Sequence, residues 1–348
     1  MLFITFGLSI VSIIKKNKYG KPNLLITIAL MIIFTVISGI RSGFGDTWAY
    51  IYSYNRIGPN YNFVNSGYEI GFTFFLMLLK KISTNPQFMI FITSSIINIS
   101  NIFIIRKYSK NSFELSIFLY MTAYYLVTMN GIRQSLVASL IFLCTPLLIK
   151  RKFYIYALII ILLSTFHVSA LIMIPVYFVC NKKAWGKEIW IWIILFIIAM
   201  IFYEPFINIL YEILGDSKYA NYKNFNEGGA NIIRVLVYFV PVVISYIKRK
   251  QLEDWVYGDI FVNITLLNFV IMAFSYYNWI FARFSIYTQL YVIVLVPYII
   301  KNCFNKNKEY KLMYYGFIVC YLLFFIYDCR ISNVIYYTNL NIISLFYN

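Results

Sequence analysis

Apolar residues run through this chain in continuous blocks rather than in alternation. The blocks fall at 2–14, 22–40, 87–105, 113–129, 131–149, 153–166, 168–180, 188–207, 231–247, 258–279, 283–300 and 312–327, separated by short polar connections. At ~1.5 Å of helical rise per residue, most of them span or nearly span the ~30 Å hydrocarbon core of a bilayer. Membrane-spanning strands would instead alternate apolar and polar residues over segments of about ten. The pattern predicts an all-α polytopic integral membrane protein with about 12 transmembrane helices, one for each block. A further apolar segment, 69–82, is too short to count as a crossing and is expected to form a short interfacial or re-entrant helix. No internal repeat, heptad or linker divides the chain, so 1–348 is expected to be a single membrane domain.

Composition agrees with the pattern. The chain is 61% hydrophobic and 12% charged, where a soluble domain would carry ~25% charged residues. The net charge of +17 does not point to nucleic acid, because the basic residues lie between apolar blocks rather than on one soluble face. Cys144, Cys180, Cys303, Cys320 and Cys329 show no ligand spacing, and His167 is the single histidine, so neither a metal site nor a cofactor is expected. The first block has no basic residue before it and four lysines after it, which predicts a retained helix rather than a cleaved signal.

Basic clusters set the expected orientation. They are Lys15–Lys21, Arg106/Lys107/Lys110, Lys150/Arg151/Lys152, Lys182/Lys183/Lys187, Lys248/Arg249/Lys250 and Lys301–Lys311. All six fit on the inner face if 69–82 does not cross and if 153–166 and 168–180 form a tight pair with His167 at the outer turn. Both termini then face outward. Six of the nine arginines fall on the outer side in this arrangement, against only Lys80, Lys81, Lys218 and Lys223 among the 21 lysines. Rules of orientation treat the two cations alike, so the partition needs another cause. Arginine holds phosphate or carboxylate bidentately in a partly dry site. An outer set that includes Arg41, Asp46, Glu69, Arg133, His167 and Arg283 therefore resembles a site for an anionic substrate.

The two longest outer loops, 41–68 and 208–230, are rich in Tyr and Asn and are expected to contribute to that site. Rings that stack on sugar faces and amides that meet hydroxyls suit a glycan, although most of these tyrosines are expected to belong to the interfacial aromatic belt. Asp46, Tyr50, Tyr54 and Ile57 have the spacing of a short amphipathic helix lying in the interface. The second loop ends in Gly228-Gly229, expected to be flexible.

Five motifs in order resemble those of the EpsG family of bacterial polysaccharide-biosynthesis membrane proteins, which are Wzy-like O-antigen or capsule polymerases. They are Asp46 with Tyr50 and Tyr54; Gly67-Tyr68-Glu69-Ile70-Gly71-Phe72; Asn130-Gly131-Ile132-Arg133-Gln134; Phe166-His167-Val168-Ser169-Ala170; and Arg283-Phe284-Ser285-Ile286-Tyr287. The resemblance covers about residues 40 to 290. It implies a metal-independent glycosyltransferase of the bacterial inner membrane, acting at the outer leaflet on undecaprenyl-diphosphate-linked oligosaccharides, with a chain-length regulator as a further partner. In that chemistry Arg133, Arg283 and Arg41 are candidates to hold the diphosphate leaving group. His167 is the natural base for the attacking hydroxyl, with Glu69 or Asp46 as alternatives. Gln134, Tyr50, Tyr68 and Tyr287 are left as candidates to contact substrate. No Asp-x-Asp motif marks a nucleotide-sugar site. A flippase for lipid-linked oligosaccharides and a membrane acyltransferase of glycan assembly are the competing readings. The first lacks the expected internal symmetry; for the second, an earlier His-containing site would be expected.

Overall fold

A computed structural model describes residues 1–16, 20–58, 67–214, 228–304, 307–331 and 337, and every regular element among them is helical. The chain divides into two compact units. One comprises Met1–Ile174 and Val296–Asn348, the other Pro175–Leu295.

The first unit contains α1 (Leu2–Ile14), α2 (Leu24–Gly39), α3 (Thr47–Asn55), α4 (Ile70–Ile82), α5 (Pro86–Tyr108), α6 (Phe113–Leu119), α7 (Tyr125–Met129), α8 (Ile132–Leu143), α9 (Thr145–Ile149) and α10 (Phe153–Ser164). A 3₁₀ turn, Val168–Ile172, follows α10. The axis of this unit is α5, which touches α2, α3, α4, α6, α7 and α8. Its start is well specified. The Asn85 side chain accepts from the Gln87 N–H at 2.9 Å, and Pro86 occupies the first turn, where its missing N–H costs nothing.

Each end of α5 is tied to a different set of charges. At its N-terminal end Gln87 Nε2 donates to the carbonyls of Gly39 (2.6 Å) and Arg41 (2.9 Å). At its C-terminal end Arg106 donates from Nε and Nη2 to the Pro22 carbonyl at 3.0 and 2.8 Å. Around this second end, Lys16 reaches Asn111, Lys301 pairs with Glu114 at 2.6 Å, and Lys21 and Lys150 lie close enough to Lys107 to repel its charge. Basic residues from four of the six clusters thus gather at one end of the unit. With 23 residues α5 is ~34 Å long, close to the thickness of a bilayer's hydrocarbon core.

Helix α4 begins and finishes at the other end. Its first turn docks on α10, the Gly71 N–H donating to the Thr165 carbonyl at 2.8 Å. Its last turn leads to Ser83, whose carbonyl accepts from Tyr54 Oη at 2.8 Å, three residues before α5 starts. Two apolar blocks are interrupted. Between α6 and α7 the backbone makes a π turn over Tyr120–Tyr124, where Tyr120 Oη donates to Asn98 at 2.8 Å. Between α8 and α9 the ladder breaks before Pro146, which cannot supply the next N–H.

The second unit is built from α12 (Lys187–Ile201), α13 (Tyr203–Leu214), α14 (Ile232–Ile247), α15 (Arg249–Leu252), α16 (Gly258–Phe274) and α17 (Ile280–Ser285). Parts of α11 (Met173–Cys180) and α18 (Gln289–Asn302) also belong to it. Ile189, Val242 and Leu266 form one buried apolar cluster within it. Its two basic clusters share one end. Asn263 Nδ2 donates to the Lys182 carbonyl at 2.7 Å, and Lys183 pairs with Glu253 at 3.4 Å. At the far end of α16, Gly228 and Gly229 are held against the turn that follows it. The Trp279 N–H donates to the Gly228 carbonyl at 3.1 Å and the Ala230 N–H to that of Ser275 at 2.6 Å, while a Cβ on Gly229 would collide with the Tyr276 carbonyl. The expected flexible pair is therefore a site of close backbone approach. Most of loop 208–230, with Asp216, Lys218, Lys223 and Glu227, lies outside the described residues, as do 59–66 of the first loop.

By length and composition, α5 and α19 (Asn307–Ile331) are each able to cross a membrane alone. A third crossing is formed if Lys187–Ile201 and Tyr203–Ile209, bent by 94°, count as one span. The other apolar helices have 10–17 residues. The molecule is an all-helical membrane protein, and helix length by itself does not reach the expected twelve crossings.

Arg41 is 1% exposed and joins three helices at the end of the unit where α5 starts. Its Nε donates to Thr47 Oγ1 at 3.0 Å, and its Nη1 to Ser94 Oγ at 2.8 Å and to the Ser38 carbonyl. This environment suits an anchor for the α2–α3 corner. We predict that Arg41→Met lowers stability by ~2 kcal/mol, since it leaves buried acceptors without donors. Thermal melting of purified protein checks this. An unchanged melting temperature with lost activity would instead put Arg41 at the substrate.

Candidate active site

A carboxylate, a guanidinium and an imidazole from three elements meet at the end of the first unit opposite the Arg106 cluster. Glu69 sits just before α4, Arg133 in the first turn of α8, and His167 just before the 3₁₀ turn. Arg133 Nη1 pairs with Glu69 Oε2, and His167 Nδ1 stands 3.4 Å from Glu69 Oε1. The side chains are 20–22% exposed, so the group is reachable from outside yet largely removed from water. Local backbone geometry delivers each one. His167 is in extended conformation between α10 and the turn, which breaks the apolar block where the ring must point sideways. Gly131, at φ +64°, turns the chain sharply before α8, a conformation that glycine adopts without strain.

Aromatic rings form the rest of the wall. The Arg133 guanidinium lies over the Tyr68 ring at 4.4 Å and 5.9 Å from that of Phe72. Tyr50 stacks on Tyr68 with centroids 5.7 Å apart, and Phe166 meets Phe72 edge-on at 6.4 Å. Tyr50 Oη also accepts from the Arg133 N–H at 3.4 Å, and Tyr68 Oη is 3.0 Å from Ser53 Oγ. Such a frame excludes water from the flanks of the ion pair and fixes the plane of the guanidinium.

The electrostatics follow from this arrangement. Burial pushes the Glu69 carboxyl up, but the contact with His167 and the charge of Arg133 together outweigh it and hold the group at about 2. Burial raises the Asp46 carboxyl above its ordinary value, against the opposing pull of the Gly131 N–H and Arg41. At 3.4 Å and without good alignment, His167 Nδ1 faces Glu69 as an electrostatic contact rather than a formed hydrogen bond. It and Arg133 Nε are buried nitrogens with no hydrogen-bond partner among the described residues. Buried nitrogens left without partners cost free energy, which the neighbouring Glu69 carboxylate offsets by charge.

The EpsG family model matches residues 23–342 of the chain. The protein belongs to the EpsG family. No curated protein and no solved structure matches it. Family membership points to a membrane protein of polysaccharide biosynthesis with a glycosyltransferase-like activity. Of the candidate residues in this EpsG-family chain, Glu69, Arg133, His167, Tyr50 and Tyr68 come together. Asp46 lies at their edge, both carboxylate oxygens 3.0 Å from the Gly131 N–H. Arg41 belongs to the neighbouring helix corner described above, and Gln134 is buried on α8 next to Arg133. Arg283 and Tyr287 are in the second unit, where the exposed Arg283 guanidinium lies 4.8 Å from the Trp279 ring centre and Tyr287 is fully buried. Asn130 and Gly71 stand within the sequence motifs, but their residue types alone assign neither of them a role. The Asn-Gly dipeptide was a turn signal for the first. Nothing local marked Gly71, whose contact with Thr165 is formed only in the folded chain.

Two predictions test the site. Glu69 ionises more readily folded than unfolded, so its contribution to stability is complete above its ordinary value of 4.5 and is lost as pH falls toward about 2. Melting temperature should therefore decline across that window, and Glu69→Gln should remove the part of the decline that this group supplies. Gly71→Ala places a methyl against Thr165 Oγ1 and backbone. It should move Glu69 away from His167 and reduce activity about tenfold or more, measured as polysaccharide made by cells per folded molecule.

Proposed function

We propose that this protein joins lipid-diphosphate-linked oligosaccharide units into a longer polysaccharide, acting as a metal-independent glycosyltransferase at the outer leaflet of the bacterial cytoplasmic membrane. The observation that carries the reading is the half-buried Glu69–Arg133–His167 group, in a family of polysaccharide biosynthesis. Undecaprenyl diphosphate is the carrier implied by the resemblance. The placement of lysines and the charged site at opposite ends of the first unit supports outward orientation, because cations are retained on the inner side.

In this reaction the acceptor sugar's hydroxyl attacks the anomeric carbon of the donor glycan. The new C–O bond forms as the bond to the diphosphate breaks, and the diphosphate leaves with the bonding electron pair. The hydroxyl proton goes to His167 Nε2. Glu69, beside Nδ1, favours the tautomer with its proton on Nδ1, leaves Nε2 as the acceptor, and stabilises the imidazolium that forms. Glu69 is itself a poor base, because Arg133 and His167 hold it so far down. Arg133 supplies a planar fork for the leaving diphosphate, with N–H donors beyond the one that Glu69 occupies. On its family motif Arg283, in the second unit, is a further candidate to hold a diphosphate. Tyr50 and Tyr68 line the approach, whereas Gln134 and Tyr287 are buried and take no part in this reading.

The function is tested by removing the gene and analysing lipid-linked glycans. Single repeat units accumulating outside support the polymerase, while units trapped inside would mean a flippase. Arg133→Lys and Arg283→Lys should each abolish polymer although charge is kept, because an ammonium does not reproduce the bidentate fork. Full polymer from both at normal protein levels refutes the diphosphate assignment. Orientation is checked by cysteine labelling, and labelling of a Lys182→Cys variant from outside would overturn it.

A further inference from the structure

A reciprocal pair of hydrogen bonds joins the start of α3 to the start of α8. The Gly131 N–H donates to the Asp46 carboxylate, 3.0 Å from each oxygen, and the Asp46 N–H donates to Asn130 Oδ1 at 3.2 Å. The two chain segments are in close contact there. A Cβ on Gly45, which has φ +55°, would lie 2.7 Å from Asn130 Oδ1, so the approach itself requires glycine. Arg133 is only two residues beyond Gly131, in the first turn of α8. A third bond, from the Arg133 N–H to Tyr50 Oη at 3.4 Å, repeats the α3-to-α8 link one turn further along α3.

We propose that Asp46 is a positioning residue, which with Asn130 clasps the head of α8 and so sets the guanidinium of Arg133 against the diphosphate, and that it does not take the acceptor's proton. This rests on the role given to Arg133 above. Both Asp46 oxygens face one backbone N–H, as in a helix cap supplied from another part of the chain. The clasp matters because α8 has no side-chain cap of its own. Without it the first turn of α8 frays, and the guanidinium swings away from Glu69 and Tyr68. A rival account exists for the same residue. Burial raises its carboxyl, a property that would also suit a general base.

Substitution separates the two, because Asn keeps an acceptor for the Gly131 N–H and carries no proton-accepting carboxylate. Five variants are compared in membranes for polymer formation and, after purification, for binding of undecaprenyl diphosphate: Asp46→Asn, Asp46→Ala, Asn130→Ala, the double variant Asp46→Ala with Asn130→Ala, and Arg133→Lys. Melting temperatures are measured alongside, so that activity is expressed per folded molecule. Asp46→Ala and Asn130→Ala should each weaken undecaprenyl diphosphate binding and slow polymer formation about tenfold or more. The double variant should be no worse than the weaker single one, because the two residues act as one unit. Asp46→Asn should restore both properties to within about threefold of the natural protein, as the cap acceptor survives. Loss of polymer in Asp46→Asn with normal undecaprenyl diphosphate binding would overturn the proposal and make Asp46 the base. Loss of both properties in Asp46→Asn, with Asn130→Ala unaffected, would overturn it as well. Unchanged undecaprenyl diphosphate binding in Arg133→Lys would instead refute the role of Arg133, on which the proposal rests.

Discussion

A single carboxylate, Glu69, organises the charged end of the first unit. It stands between a guanidinium and an imidazole, in surroundings dry enough that none of the three would be tolerated alone. Breaking one partner would leave another charge buried and uncompensated. That demand explains the neighbouring architecture. Helix α4 must dock on α10 through Gly71 so that Glu69 reaches His167, and α8 must start abruptly at Gly131 so that Arg133 reaches Glu69. Aromatic rings of Tyr50, Tyr68 and Phe72 close the flanks and keep the local dielectric low.

The same physics separates arginine from lysine along the chain. Lysines gathered at the end of α5 marked by Arg106 each contribute a compact point charge. Two arginines at the opposite end, Arg41 and Arg133, are buried or half-buried and held in defined geometry. Arg41 binds three partners inside the protein, and Arg133 stacks on a ring while pairing with a carboxylate. A planar fork with five donors can do both, and an ammonium cannot. One arginine thus serves the fold and the other is exposed enough to meet a ligand, although the sequence presents them alike.

Helix positions were legible because apolar blocks translate directly into helices, as at 2–14 and 153–164. Breaks were less legible. The π turn at Tyr120–Tyr124 depends on a tyrosine hydroxyl finding Asn98 across the unit, and the tight seat of Gly228-Gly229 depends on Tyr276. Rarity made the site readable. A lone histidine and a few charges in an apolar chain stand out, and Glu69, Arg133 and His167 do meet. What stayed hidden was division of labour. Composition cannot say that Arg41 is consumed by Thr47, Ser94 and Ser38, nor that Asp46 faces a backbone N–H of α8, since both facts arise from contacts between segments distant in sequence.

The central claim is that His167, oriented by Glu69, takes the acceptor's proton while Arg133 receives the diphosphate. The most direct measurement uses purified protein in proteoliposomes supplied with lipid-diphosphate-linked repeat units, following both chain growth and release of the lipid diphosphate. The account predicts that His167→Gln still binds the lipid-linked unit yet forms no longer chain and releases no lipid diphosphate. Chain growth by His167→Gln at the natural rate would contradict it.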